Sequence, residues 1–193
     1  MVMQQAQPTE PCSRATNVVA FRAAAVELWG APTWDGIVAS LPKDTREALV
    51  PGGIVVAVGW VAERHMVKLA EMVHEGPAQN NMEAYRGFVQ QVIQQGFGRV
   101  RRVLVQFAHP HTVLRRAPEL WKHDHTHGEL VVTMEEKSAL AVLSHEVLTA
   151  TRLSRATAAE MFRTVLSLTR AGDVKEEHGL DGNGRLRVLL KWS

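Results

Sequence analysis

The spacing of apolar residues changes once along this chain, at Gly128, and that change restricts its fold more than any other feature. Upstream of Gly128, apolar residues recur at the spacing of amphipathic helices. Downstream, two runs at 129–134 and 139–145 are typical of strands and are joined by the polar residues 135–137. Helical spacing returns at 154–170, so the C-terminal part begins as strand, strand and helix.

The C-terminus predicts a hairpin. Two further runs, 174–178 and 185–192, flank a turn-forming segment at 179–184. Strands joined by short turns pair antiparallel, and a single crossover helix packs on one face of such a sheet. The sequence therefore predicts an α+β fold, in which a helical N-terminal part packs on a four-stranded antiparallel sheet and the C-terminal half has the order β-β-α-β-β.

Within the N-terminal part, glycine and proline residues divide the helical pattern. Gly96 and Gly98 are expected to interrupt the longest helix, and Pro118 is expected to divide the helix that begins at His109. The predicted helices cover 16–29, 33–41, 60–73, 82–95, a segment ending at 107, and the divided segment from 109 to 121.

Length and composition favour a single domain. The chain has 193 residues, of which we assign 1–15 to a flexible N-terminal tail and 16–193 to one α+β ligand-binding-like domain. The formal net charge of +2 gives no basic footprint for nucleic acid. No apolar run approaches the roughly 20 residues that span a bilayer, so no membrane span is expected. The single cysteine, Cys12, fits a reducing compartment, and we expect a cytoplasmic protein.

No catalytic template is recognisable, because the glycine pairs follow no strand and no serine lies in a nucleophile elbow. The most unusual local feature is a run of histidines, and in an extended segment His123, His125, His127 and Glu129 would share one face. Imidazole and carboxylate ligands suit zinc or another first-row metal, with His109, His111 or His145 closing the site. The alternatives are a solvated polar loop, which the sequence favours, and a pH-responsive surface.

The C-terminal two-thirds of the chain resembles a known superfamily. The features that carry the resemblance are a Pro-containing helix with the sequence VLRRAPELW at 113–121, the Gly-Glu-Leu at 128–130, and a last strand ending in VLLKW at 188–192. Together they resemble the haem-NO-binding and vinyl-reductase-type ligand-binding superfamily. More narrowly, they look like bacterial paralogous families of unknown function from myxobacteria. The resemblance covers about residues 16–193.

The resemblance implies specific residues for a cofactor. The haem members hold iron with a histidine shortly before a Pro-containing segment, a place that His109 matches best, with His111 as its neighbour. They also grip the haem propionates with a Tyr-x-Ser-x-Arg motif. That motif would fall near 139–146, where this chain reads ALAVLSHE and lacks both the tyrosine and the arginine.

The resemblance also implies a cavity for an apolar ligand and dimerisation through helices. The chain is thus expected to be a non-enzymatic regulatory or sensory domain that binds an apolar small molecule or a protein partner, a homodimer included. The alternative is a haem- or metal-binding sensor that uses His109 or the histidine run. Three alternatives stay open for the cofactor: no cofactor, haem, or zinc. The absence of a cofactor is favoured over the other two. The candidate residues that line the cavity are Phe88, Val92, Phe107, Leu114, Leu140 and Phe162.

Overall fold

The computed structural model describes residues 8–193, and for 98–104 it describes the backbone alone. The elements, in chain order, are β1 (Cys12–Arg14), α1 (Thr16–Trp29), α2 (Ala31–Ser40), α3 (Lys43–Leu49), β2 (Trp60–Ala62), α4 (Glu63–Glu75), α5 (Met82–Gln106), α6 (Pro110–Asp124), β3 (Glu129–Met134), β4 (Ser138–Ser144), α7 (Arg152–Ser167), β5 (Val174–Leu180) and β6 (Leu186–Trp192).

The N-terminal helices share one apolar core, in which α1 packs along α5. Phe88 of α5 is fully buried, with its ring edge-on to Phe21 at 5.2 Å and stacked on Trp29 at 5.4 Å between ring centroids. Gly30 ends α1 with a φ of 86°, a conformation that suits glycine, and a proline follows in the first turn of α2.

The C-terminal half, which in the structure includes α6, contains a second core formed by the sheet, α6 and α7. The strands are antiparallel in the order β3-β4-β6-β5, and residues alternate between buried and solvent-facing positions along β4 and β6. Leu186, Val188 and Leu190 of β6 are all fully buried. Because α7 also packs Leu153 and Met161 against the helical core, it joins the two halves. The predicted α+β fold is confirmed, including its four-stranded sheet.

The structure corrects the expected boundaries at the N-terminus. Cys12–Arg14, expected in the flexible tail, forms β1 and pairs antiparallel with Trp60–Ala62, expected as the first turn of a helix. Cys12 and Ser13 are buried in this small sheet. The sequence gives little warning of a strand this short, because its stability comes from the partner strand rather than from local propensity. Residues 1–7 of the expected tail lie outside the described part.

Two expected helix breaks are also absent. Helix α5 runs unbroken through Gly96 and Gly98, and α6 runs through Pro118 as far as Asp124. A glycine inside a helix costs only about 1 kcal/mol, which packing of a long helix on its neighbours readily offsets. A proline removes one helical hydrogen bond, and here α6 continues past it. None of the described helices combines the length and apolar character needed to cross a membrane.

A buried carboxylate between two histidines

Glu63 is a buried carboxylate at the place where the N-terminal helices meet the C-terminal half. It is the first residue of α4 and follows β2 directly, and its backbone N–H donates to the carbonyl of Pro11 at 2.9 Å. The positive end of a helix dipole favours a carboxylate in this position. Its side chain is only 1% exposed, so its partners must come from within the protein.

Two histidines from the C-terminal half contact this carboxylate. The Nδ1 atom of His125, at the end of α6, lies 2.7 Å from Oε1 of Glu63. The Nε2 atom of His145, directly after β4, lies 2.8 Å from Oε2. The first contact is a well-formed hydrogen bond. The second is close, but it is too bent to be one, so Oε2 and Nε2 are buried without an aligned partner.

Neighbouring groups hold both imidazole rings in place. The indole of Trp121 stacks on His125, with ring centroids 3.8 Å apart and planes within 6° of parallel. Gly128 approaches His145 so closely that a Cβ atom added there would lie 2.5 Å from Cδ2 of the ring. The φ of 83° at Gly128 also suits glycine. The two rings therefore have little freedom to turn.

The contacts of His145 indicate where its ring carries a proton. Its Nδ1 atom accepts from the backbone N–H groups of Val147 and Leu148, each at 3.2 Å. An imidazole nitrogen that accepts must keep its lone pair, so the proton of the neutral ring is assigned to Nε2, the atom that faces Glu63. An ionised carboxylate can only accept a hydrogen bond, so the Nδ1 atom of His125 carries a proton and donates to Oε1 of Glu63.

The histidines determine the charge state of the carboxylate. Burial by itself raises the pKa of Glu63, but contacts with His125 and His145 outweigh burial and lower the pKa to about 2. Burial and the nearby Glu63 charge raise the pKa of the Cys12 thiol, so Cys12 stays neutral and is a poor nucleophile. The centre is therefore an ionised carboxylate held by two imidazole rings.

The structure does not bring the predicted metal residues together. The extended segment expected from His123 to Glu129 is not formed, because α6 includes His123 and continues to Asp124. His123 is exposed and contacts the carboxylate of Asp124, whereas His127 contacts the hydroxyl of Thr126 at 2.9 Å. Glu129 is exposed at the start of β3. Of the predicted set, only His125 contacts the buried carboxylate of Glu63.

The two histidines considered for haem lie at the other end of α6. His109 is exposed and caps the helix, and its Nδ1 accepts from the backbone of His111 at 3.4 Å. The Nε2 atom of His111 lies 2.7 Å from the carbonyl oxygen of Glu135, and its ring packs edge-on against Trp192. Neither imidazole belongs to an apolar core.

The six residues expected to line an apolar cavity are spread over three places. Phe88 and Val92 are buried in the helical core, whereas Leu114 and Phe162 pack in the sheet core. Phe107 is 66% exposed, and Leu140, on the outer face of β4, lines a shallow surface hollow.

Sequence reasoning missed Glu63 altogether and found His145 only as an additional ligand. Glu63 follows an apolar stretch and precedes an amphipathic helix, where an acidic residue normally serves the helix N-terminus from the surface. No local pattern shows that β1 covers it or that residues 62 and 82 positions away contact it. The signal that the sequence offers for this centre is the pair of histidines His125 and His145, which follow a helix and a strand.

The fold has well-matched counterparts among solved structures. An H-NOX protein from K. algicida, in the Fe(II) unliganded state, aligns with a TM-score of 0.68 at 9% identity, over 93% of this chain and 96% of that one. An H-NOX protein from S. oneidensis, in the Fe(II)NO state, aligns with a TM-score of 0.68 at 11% identity, over 93% and 99%. An oxygen-binding H-NOX domain related to soluble guanylate cyclases aligns with a TM-score of 0.65 at 14% identity, over 93% and 95%.

These alignments confirm that the chain has the fold of H-NOX domains, as the resemblance implied, and at this identity they show the fold alone. No protein-family model matches the chain. No curated protein sequence matches it either. The narrower resemblance to myxobacterial families stays a prediction.

Proposed function

We propose that this chain is a sensory or regulatory domain in which the buried centre of Glu63, His125 and His145 couples the helical N-terminal part to the C-terminal half. One observation carries the proposal: a single carboxylate of α4, 1% exposed, is held by side chains that follow α6 and β4. A change at this centre has to alter how the two halves contact each other. The fold likeness to H-NOX domains supports a sensory role.

The residues present do not fit a haem held as the resemblance implies. His109 is exposed, and His111 contacts a backbone carbonyl at the surface. The strand expected to grip the propionates supplies buried Ala139, Ala141 and Leu143 instead of a tyrosine and an arginine. A haem would therefore lack both its expected axial ligand inside the protein and the polar anchor for its anionic propionates.

A haem sensor remains the second candidate because of the fold, which aligns over more than nine-tenths of both chains. The absorbance spectrum of the protein, purified from cells supplied with a haem precursor, separates the two candidates. We expect no Soret band. A stoichiometric Soret band that disappears in His109→Ala would instead establish the haem sensor.

Hydrogen–deuterium exchange tests the coupling itself. In Glu63→Gln, we expect faster exchange at the start of α4 and, in the same variant, around 125–128 and 145–150. The exposed Glu129→Gln provides the matched control and should exchange like the wild type. Faster exchange confined to α4 would contradict the proposal, because the two halves would then respond independently.

The remaining parts of the proposal concern partners and location. A homodimer or another protein partner would receive the signal, and a cytoplasmic location fits the single cysteine. Sedimentation of the full chain over a range of concentrations tests self-association. Binding of an apolar small molecule stays a prediction, tested by native mass spectrometry of the purified protein.

A further inference from the structure

We infer that Glu63, His125 and His145 together bind one first-row divalent metal ion. The inference rests on the proposed function, because it names the ligand to which the same centre responds. One ligand atom from each residue lies within 4.8 Å of the other two. Zinc binds nitrogen and carboxylate oxygen at about 2.0–2.2 Å, so an ion between these atoms reaches all three after small movements.

The donor set suits zinc or iron(II). Two imidazoles and one carboxylate are the ligands of many three-residue sites, in which a further position stays open for water or a small ligand. Sulfur does not contribute here, because Cys12 does not belong to the group of described residues whose ligand atoms lie within 4.8 Å of one another. Magnesium and calcium prefer oxygen ligands and are poorly served by two histidines.

A second observation comes from the contact between Glu63 and His145. Oε2 and Nε2 are both buried and 2.8 Å apart, yet neither has an aligned hydrogen bond. Buried polar atoms are nearly always paired, and an unpaired one calls for an explanation such as an ion. A metal bound between them would satisfy both atoms at once.

The orientation of the two rings makes the inference specific. Nδ1 of His145 accepts from the backbone N–H groups of Val147 and Leu148, so Nε2 is the nitrogen that faces Glu63. In His125 the nitrogen that faces Glu63 is Nδ1. These two nitrogens and a carboxylate oxygen of Glu63 are therefore the expected ligand atoms.

The competing interpretation is that the three residues only hold the two halves together and bind no metal. In that case Nε2 of His145 donates a poorly aligned hydrogen bond to Glu63. Isothermal titration calorimetry distinguishes the two. The full chain, stripped with EDTA, is titrated with Zn(II) and with Co(II). We expect one ion per chain and a visible Co(II) spectrum of low coordination number.

The variants locate the site. His125→Ala and Glu63→Gln should weaken binding by about 100-fold or more, whereas the exposed His123→Ala should bind like the wild type. Circular dichroism verifies that each variant is folded. If a variant does not fold, the stoichiometry and the Co(II) spectrum of the wild type still test the inference. Absence of binding, binding retained in His125→Ala, or binding lost in folded His123→Ala would each overturn the inference.

Failure here is distinguishable from failure of the proposed function. If the centre binds no metal but Glu63→Gln still speeds hydrogen–deuterium exchange in both halves, the proposed coupling is supported and the metal site is contradicted. If metal binds but exchange changes only in α4, the metal site is supported and the coupling is contradicted.

Discussion

Replacing Glu63 by glutamine measures what the buried charge contributes to stability. The pKa of this carboxyl falls from 4.5 to about 2 in the folded protein. A depression of that size corresponds to about 3 kcal/mol of stability at pH 7. Glutamine keeps the shape but loses the charge, so we expect the free energy of unfolding of metal-free protein to drop by about 3 kcal/mol.

The sign of the pH dependence follows from the direction of the shift. A carboxyl whose pKa is lowered by folding stabilises the protein above its unfolded pKa, here 4.5, and loses this effect as the pH falls towards 2. The difference between wild type and Glu63→Gln should therefore shrink from about 3 kcal/mol at pH 7 to about 1.5 kcal/mol at pH 3. The assay is urea unfolding in EDTA at each pH, with Glu129→Gln as the control. A difference that stays constant from pH 7 to pH 3 would refute the reasoning.

Three further predictions concern the surroundings of the centre. Gly128→Ala should lower the melting temperature and displace His145, because its Cβ would lie 2.5 Å from the ring, whereas Gly182→Ala, which meets nothing within 4 Å, should be nearly neutral. Leu143→Ala removes a fully buried side chain and should cost roughly 2–5 kcal/mol in urea unfolding; a cost below 1 kcal/mol would contradict the packing. Long-range nitrogen NMR of metal-free protein should show His145 protonated at Nε2 and His125 at Nδ1; a proton on Nδ1 of His145 would contradict the assignment.

Much of the fold was predictable because it follows from periodicity. The buried positions of β6 alternate in the sequence as they do in the sheet, and β3 and β4 begin within one residue of their predicted starts. Errors arose where long-range packing outweighs local propensity. Helix α5 continues through Gly96 because it lies against α1 and α7, and β1 exists only because Trp60–Ala62 pairs with it.

The candidate site was less predictable, for a reason that applies to each of its three side chains. Glu63 begins a helix, His125 ends one and His145 follows a strand, so all three occupy element boundaries, where sequence patterns are weakest. The histidine run marks this region in the sequence, but helix α6 extends through the exposed His123, and only His125 of the run contacts Glu63. A charge recruited from a different half of the chain then completes the centre. A buried carboxylate between imidazoles costs desolvation that an apolar cluster of the same size would not, and this cost at the junction of the two halves is what makes the centre the candidate for the proposed coupling.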